Sequence, residues 1–469
     1  MRRLPALSLA LLVAACSLGG ARASPSPPHP ASTPQVLQGT LGAATYTIVM
    51  PAPWNRTLVV YSHGYVAPGR PNPAPDLGAN PIGAWLLGHG YALAASSYSG
   101  TGWALAEAVP DQIALLDLFQ QRFGKPTRTL AWGHSLGGII TAALVQDHPE
   151  RFAGALPMCG VLGGGVGTWN QALDAAFVLK TLLGPDSQLQ LVHLTNPEAN
   201  LSAARSLADA AQATPAGQAR LALIAALGDL PGWFDPSQPQ PAPADLAGRL
   251  RDQLRWFSVD FPYSFSYRAD LEKRAGGNPS WNTGVDYRAL LAASVDRDEV
   301  EALYQQAGLS LESDLARLAA APRIAADPPA VQYLRRHVVF DGSLQVPVLS
   351  LHTTDDGLVV VQQEQAYAAA VHGAGRDSQL RQLYVHRAGH CTFTAAESLV
   401  AFQALVDRLN SGAWDPAALD PAVLDRRAAA LGPDLNRLPL AVSFAAAPGF
   451  LAYQPAPFLR PFDARSPNP

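Results

Sequence analysis

Short apolar, β-branched runs recur along the first third of the chain, separated by segments of helical period. Thr57-Leu58-Val59-Val60-Tyr61-Ser62 and Tyr91-Ala92-Leu93-Ala94-Ala95-Ser96 read as buried strands, as do Arg128-Thr129-Leu130-Ala131-Trp132 and Phe152 to Met158. Val36 to Met50 reads as a hairpin. Before the Arg128 strand lies a helix with Pro110 near its first turn, Ile113, Leu116, Phe119 and Phe123 on one face, and Gly124 just past its end. Strand and helix in alternation predict a mostly parallel sheet with helices on both faces.

From about Gly160 to Ser343 the period turns helical and Ala-rich, interrupted by Pro231-Gly232 and by prolines between Pro236 and Pro243. Strand patterns resume at Val346-Pro347-Val348-Leu349-Ser350-Leu351 and from Gln379 to Val385. The expected organisation is a core in two pieces, 36–165 and 344–412, around a helical lid over 166–343 that covers the carboxyl ends of the strands. A C-terminal extension, 413–469, follows. The glycine-rich run from Gly160 to Gly167 reads as a close backbone approach or hinge, or as a plain linker.

Composition narrows the partners. The 469 residues are 48% hydrophobic and 15% charged, which describes a globular chain with room for a core and a second unit. A net charge of −4 gives no reason to expect nucleic acid or an anionic membrane surface. Arg2-Arg3 followed by the apolar stretch Leu4 to Ala15 is an export signal, placed in 1–23. Val13-Ala14-Ala15-Cys16 fits a lipoprotein signal with Cys16 lipidated, and Ala21-Arg22-Ala23 an ordinary cleavage site. The lipoprotein form is favoured, with a Pro/Ser-rich tether over 24–35 in either case. No later segment has 18 consecutive apolar residues, so no transmembrane span is expected.

Candidate chemistry begins at Gly133-His134-Ser135-Leu136-Gly137. An apolar strand precedes this G-x-S-x-G and a helical pattern follows it. A serine on a strained strand-to-helix turn needs small residues two before and two after it, which is the nucleophile-elbow arrangement. Leu351-His352-Thr353-Thr354-Asp355-Asp356-Gly357-Leu358-Val359 resembles the L-H-G-x-x-D-x-x-V acid segment of α/β-hydrolases, and Ser62-His63-Gly64-Tyr65 resembles their oxyanion segment. Gly389-His390-Cys391 stands after the last strand and before the capping box Thr394-Ala395-Ala396-Glu397. Together these motifs resemble the α/β-hydrolase superfamily. The resemblance implies Ser135 as nucleophile, Asp356 as acid and His390 as base, with Asp355 and His386 the neighbours that compete. It also implies the amides of Leu136 and Tyr65 as oxyanion donors. No metal-ligand spacing, phosphate loop or dinucleotide fingerprint appears, so no cofactor or metal is expected.

The function this implies is a secreted or lipid-anchored serine hydrolase cleaving small-molecule carboxylic esters through an acyl-enzyme. A serine exopeptidase or amidase is the alternative, with Glu301, Glu312 or Asp314 available to hold a substrate amine. A non-catalytic binding protein comes third. Trp103 and Trp169 are the candidate pocket residues. Cys159, at the end of a strand beside the elbow, and Cys391, beside the base, arrive at the same sheet edge. They are either a disulfide or two buried thiols. His390-Cys391 also resembles the tannase and feruloyl esterase group, although His134 here stands where that group has a cysteine.

Overall fold

A computed structural model describes residues 33–465 apart from 76, 79 and 440–442. The segment read as an export signal, Cys16 and most of the expected tether lie outside the described residues. The hairpin is β1 (Gln35–Leu41) and β2 (Ala44–Met50), followed by β3 (Thr57–Ser62), β4 (Ala92–Ser96), β5 (Arg128–His134), β6 (Gly154–Met158), β7 (Val348–Asp355) and β8 (Leu380–Ala388). They form one sheet in the order β1-β2-β4-β3-β5-β6-β7-β8, closed at its far edge by Phe450–Leu451. Strands β3 to β8 are parallel, and the hairpin and the terminal strand run antiparallel to their neighbours.

Alternation along β3 shows why both faces are covered. Leu58 and Val60 pack on one side with Phe119 and Ile140, while Val59 packs on the other with Leu399 and Phe402. The flanking helices include α1 (Pro81–Gly88), α2 (Leu105–Phe123) and α3 (Leu136–Asp147). Helix α2 begins earlier than the sequence suggests, so Pro110 lies beyond its first turn. Burial of Leu105 and Ala108 outweighs the one backbone hydrogen bond that proline removes.

Between β6 and β7 come α4 (Gly164–Leu183), α5 (Pro197–Gln212), α6 (Pro215–Leu227), α7 (Leu246–Pro262) and further short helices ending at Arg336. They share a second apolar core built on Leu173, Phe177, Ile224, Phe257 and Tyr287. The glycine run is neither hinge nor linker, because α4 starts inside it at Gly164. Its glycines serve close packing: a Cβ on Gly167 would stand 2.8 Å from the Arg460 carbonyl oxygen, and one on Gly138 would stand 2.5 Å from the Gly160 Cα.

The C-terminal segment is part of the fold. Phe450–Leu451 extends the sheet, and Phe458 inserts into the helical core. Arg460 pairs with the buried carboxylate of Asp174 on α4 and donates to the Trp281 carbonyl at 3.0 Å.

Elbow packing yields a direct test. A Cβ on Gly137 would stand 1.9 Å from the Ser62 carbonyl oxygen, whereas one on Gly42 would meet nothing within 4 Å. Gly137→Ala should cost about 3 kcal/mol. Gly42→Ala, strained only by its positive φ, should cost about 1 kcal/mol. Denaturant unfolding of both variants checks this, and equal losses would mean that the elbow relaxes.

Candidate active site

Ser135 sits between β5 and α3 at φ 59°, ψ −123°, a conformation held by its amide donating to the Met158 carbonyl at 3.0 Å. Gly133 is as tightly placed as Gly137, since its Cβ would stand 2.4 Å from the Gly137 carbonyl oxygen. Both elbow glycines are therefore explained by backbone closeness. The loop after β3 passes beside the serine, where a Cβ on Gly64 would come within 3.9 Å of Ser135 Oγ. Tyr65 and Leu136 line the same cavity as Ser135.

Asp356 follows β7 directly and is buried. Its Oδ1 accepts from the amides of Leu358 and Val359, each at 3.0 Å, and its Oδ2 accepts from His390 Nδ1 at 2.7 Å. Asp355 turns away, accepting from Thr354 Oγ1 at 2.8 Å and Gln240 Nε2 at 3.3 Å. His386 lies within β8 and pairs with Gln240 at 3.0 Å. Geometry thus joins His390 to Asp356 and to neither competitor.

Behind Asp356 stands a group whose role the sequence did not disclose. His352 is buried with Nδ1 2.9 Å from Glu364 Oε1 and Nε2 2.8 Å from the Val359 carbonyl, and Asp356 Oδ2 lies 3.6 Å away. Both ring nitrogens face acceptors only, so both donate and the ring is an imidazolium. Burial pulls its pKa down, but the hydrogen bonds and charges of Asp356 and Glu364 carry it up to about 10. Burial likewise pushes Asp356 up, and the His390 and His352 rings reverse this and hold it at about 2.

The His390 loop is fixed by Glu397. Its carboxylate accepts from Arg387 at 2.6 and 3.0 Å, from the Thr394 amide at 2.8 Å and from the Gly449 amide at 3.0 Å. This is the capping box read from the sequence, with an ion pair added. His390 Nε2 lies 3.5 Å from Cys391 Sγ and makes no hydrogen bond to Ser135 Oγ. Such bonds are often long before substrate arrives. Cys159 and Cys391 have their sulfurs at bonding distance and their Cα atoms 5.4 Å apart. Burial, then His390, pushes the His134 ring down to about 4, so it is neutral and packs against Trp132 and Tyr61.

The helical insertion walls the chamber. Ser135 opens into a cavity of about 130 Å³ bounded by Trp103, Trp169 of α4, Phe257 and Phe261 of α7, and Tyr263. Trp103 and Trp169 meet edge to face at 5.4 Å. Trp256 instead packs over the loop after Asp356, where a Cβ on Gly357 would strike its ring at 2.2 Å. The carboxylates considered for amine binding lie elsewhere: Glu301 pairs with Arg297, Glu312 with Arg288, and Asp314 with Arg220 and Arg317.

Residues 85–163, which include the elbow, match the Prolyl oligopeptidase family. Over 328 residues the chain is 32% identical to an o-phthalyl amidase from Xanthobacter agilis, covering 64% of this chain and 71% of that protein. The chain belongs to the α/β-hydrolase superfamily. It is a serine hydrolase of the α/β-hydrolase fold. Solved structures similar to it include an esterase from Aspergillus oryzae (14% identity, 80% of this chain and 79% of that one, TM-score 0.42). Another is the Pyrococcus horikoshii acylaminoacyl peptidase (9% identity, 77% and 38%, TM-score 0.36). Among the described residues of the α/β-hydrolase no helix is long and apolar enough to cross a membrane.

His352 gives the second test. A folded-state pKa raised to about 10 means its contribution is fully present below the ordinary histidine value and is lost as pH rises through about 10. Asp356, held at about 2, contributes above its ordinary value and loses that contribution as pH falls towards 2. His352→Gln leaves two buried carboxylates without their cation and should cost about 3–5 kcal/mol near pH 6. The gap from wild type should narrow as pH rises towards 10. Unfolding curves across that range decide it, and a pH-independent gap would contradict the imidazolium.

Proposed function

We propose that this α/β-hydrolase is an exported acyl hydrolase that cleaves esters and amides of small aromatic or apolar acids through an acyl-enzyme on Ser135. The observation that carries this reading is the walled cavity beside Ser135, with aromatic and aliphatic sides. His390 takes the Ser135 proton during attack, then returns it to the departing alcohol or amine. Asp356 fixes the ring with its Nδ1–H towards the carboxylate and stabilises the imidazolium that forms. The amides of Leu136 and Tyr65 receive the oxyanion; removing one such donor raises the barrier by about 3 kcal/mol. Water then attacks the acyl-enzyme by the same route.

Ester and amide of one acid give the same acyl-enzyme, so the cavity selects the acid more than the leaving group. Support for amides comes from the relative at 32% identity, named for an o-phthalyl amide. Export fits a Cys159–Cys391 disulfide, which an oxidising compartment preserves, and Cys16 would serve as the lipid anchor.

Hydrolysis of p-nitrophenyl benzoate and benzoyl-p-nitroanilide should be lost in Ser135→Ala and fall by about 10⁴-fold in Asp356→Asn. Asp355→Asn should stay within a few-fold of wild type. A dead Asp355 variant beside an active Asp356 variant would reassign the acid. Retention of turnover by Ser135→Ala would overturn the mechanism. Peptide mapping of unreduced protein should find the peptides holding Cys159 and Cys391 linked; two alkylatable thiols would refute the bridge.

A further inference from the structure

Four residues lining the Ser135 cavity carry a buried polar atom with no hydrogen-bond partner: the indole nitrogens of Trp103 and Trp169, the Thr168 hydroxyl, and Asp260 Oδ2. Buried polar groups are almost always satisfied, so such a cluster in one chamber marks contacts that a ligand completes. Two of the four are obligate donors and a third can donate. A ligand that satisfies them must therefore offer oxygen acceptors.

We propose that Asp260 is a specificity-determining residue, whose free Oδ2 meets a second oxygen acceptor, a carbonyl or carboxyl oxygen, carried on the acyl half of the substrate. This rests on the assignment of the cavity to the acyl group. Asp260 lies in the last turn of α7, just before Pro262 and a π-helical turn at Tyr263–Tyr267. That irregular turn brings Tyr263, Ser264 and Phe265 to the cavity wall along with Asp260.

A carboxyl group can donate only as the neutral acid, and its surroundings favour that form. Burial pushes the Asp260 pKa well above the usual carboxylate range, and the nearby Asp356 charge pushes it further. The cavity lining also carries Tyr65 and Tyr263, and Tyr263 is pushed up to about 12 by burial and then by Asp260. Among the described residues no lysine, arginine or histidine lines the cavity, so none of them compensates an ionised Asp260. Asp260 is also the one aspartate or glutamate among the lining residues described. The protonated carboxyl thus works as a hydrogen-bond donor held in an apolar wall.

Binding separates this inference from turnover. Calorimetry with Ser135→Ala compares acetophenone with α-methylstyrene, which replaces the carbonyl oxygen by CH₂. Acetophenone should bind at least about tenfold more tightly, as a paired buried donor requires. Asp260→Leu should bind both alike, while Asp260→Asn, which keeps a donor, should retain most of the preference. Equal binding by Ser135→Ala, or a preference that survives in a folded Asp260→Leu, overturns the proposal. Tighter binding of benzylammonium than of either probe, lost in Asp260→Asn, would overturn it in favour of an ionised carboxylate. Absence of any ester or amide hydrolysis by the wild-type protein, with the binding preference of Ser135→Ala intact, would strike the acyl-hydrolase reading alone.

Discussion

The acid–histidine row Glu364–His352–Asp356–His390 is the interaction on which the site depends. A carboxylate placed at the end of a fully buried strand is costly unless its charge is met on every side. Asp356 is met by two backbone amides and by a histidine on each flank. Glu364 balances the inner histidine and is itself satisfied by Ser350 and Gln382. The row runs from a helix behind the sheet, through β7, to the loop that holds His390. Orientation of His390 is therefore set by groups that never meet substrate, in the way outer partners orient metal ligands.

Much of this was legible in the sequence because local patterns demanded it. Gly133 and Gly137 leave no room for a Cβ, and a pentapeptide after an apolar strand discloses that constraint directly. The capping box at Thr394 and Glu397 marks the start of the last core helix, and so the place of the loop before it. What stayed hidden depends on distant contacts. Glycines at 164, 165 and 167 argue against a helix by propensity, yet α4 begins there, with Gly164 at a positive φ and Gly167 so close to the Arg460 carbonyl that a side chain would not fit. The strand at Phe450–Leu451 is too short for any period to show, and it exists only because β8 offers an open edge. Nothing in the residues around Asp260 distinguishes it from an ordinary surface helix position. Its character comes from the chamber that folding builds around it.

The chamber also unites the two cores. Its floor is sheet-derived, through Ser135 and the loop at Tyr65, and its walls come from α4 and α7. Tyr65 packs against Tyr263 and Tyr267 at centroid distances of 5.1 and 5.6 Å, so the loop after β3 and the π-helical turn share one aromatic cluster. Arg274 pairs with Glu107 at 2.6 Å and Asp270 at 2.8 Å, tying the insertion to α2. The walls are thus fastened to the sheet domain at points flanking the serine.

The tail adds a constraint in time. Phe458 completes the hydrophobic core of helices that begin nearly three hundred residues earlier, and Arg460 neutralises the buried Asp174 on the first of them. Until those last residues are available, α4 carries an unmatched buried carboxylate and its neighbours lack a core ring. The sheet can pair without these residues, but the chamber walls cannot reach their final packing until the segment holding Phe458 and Arg460 has docked. A chain in which that segment has not yet docked therefore holds Ser135 in a partly built chamber.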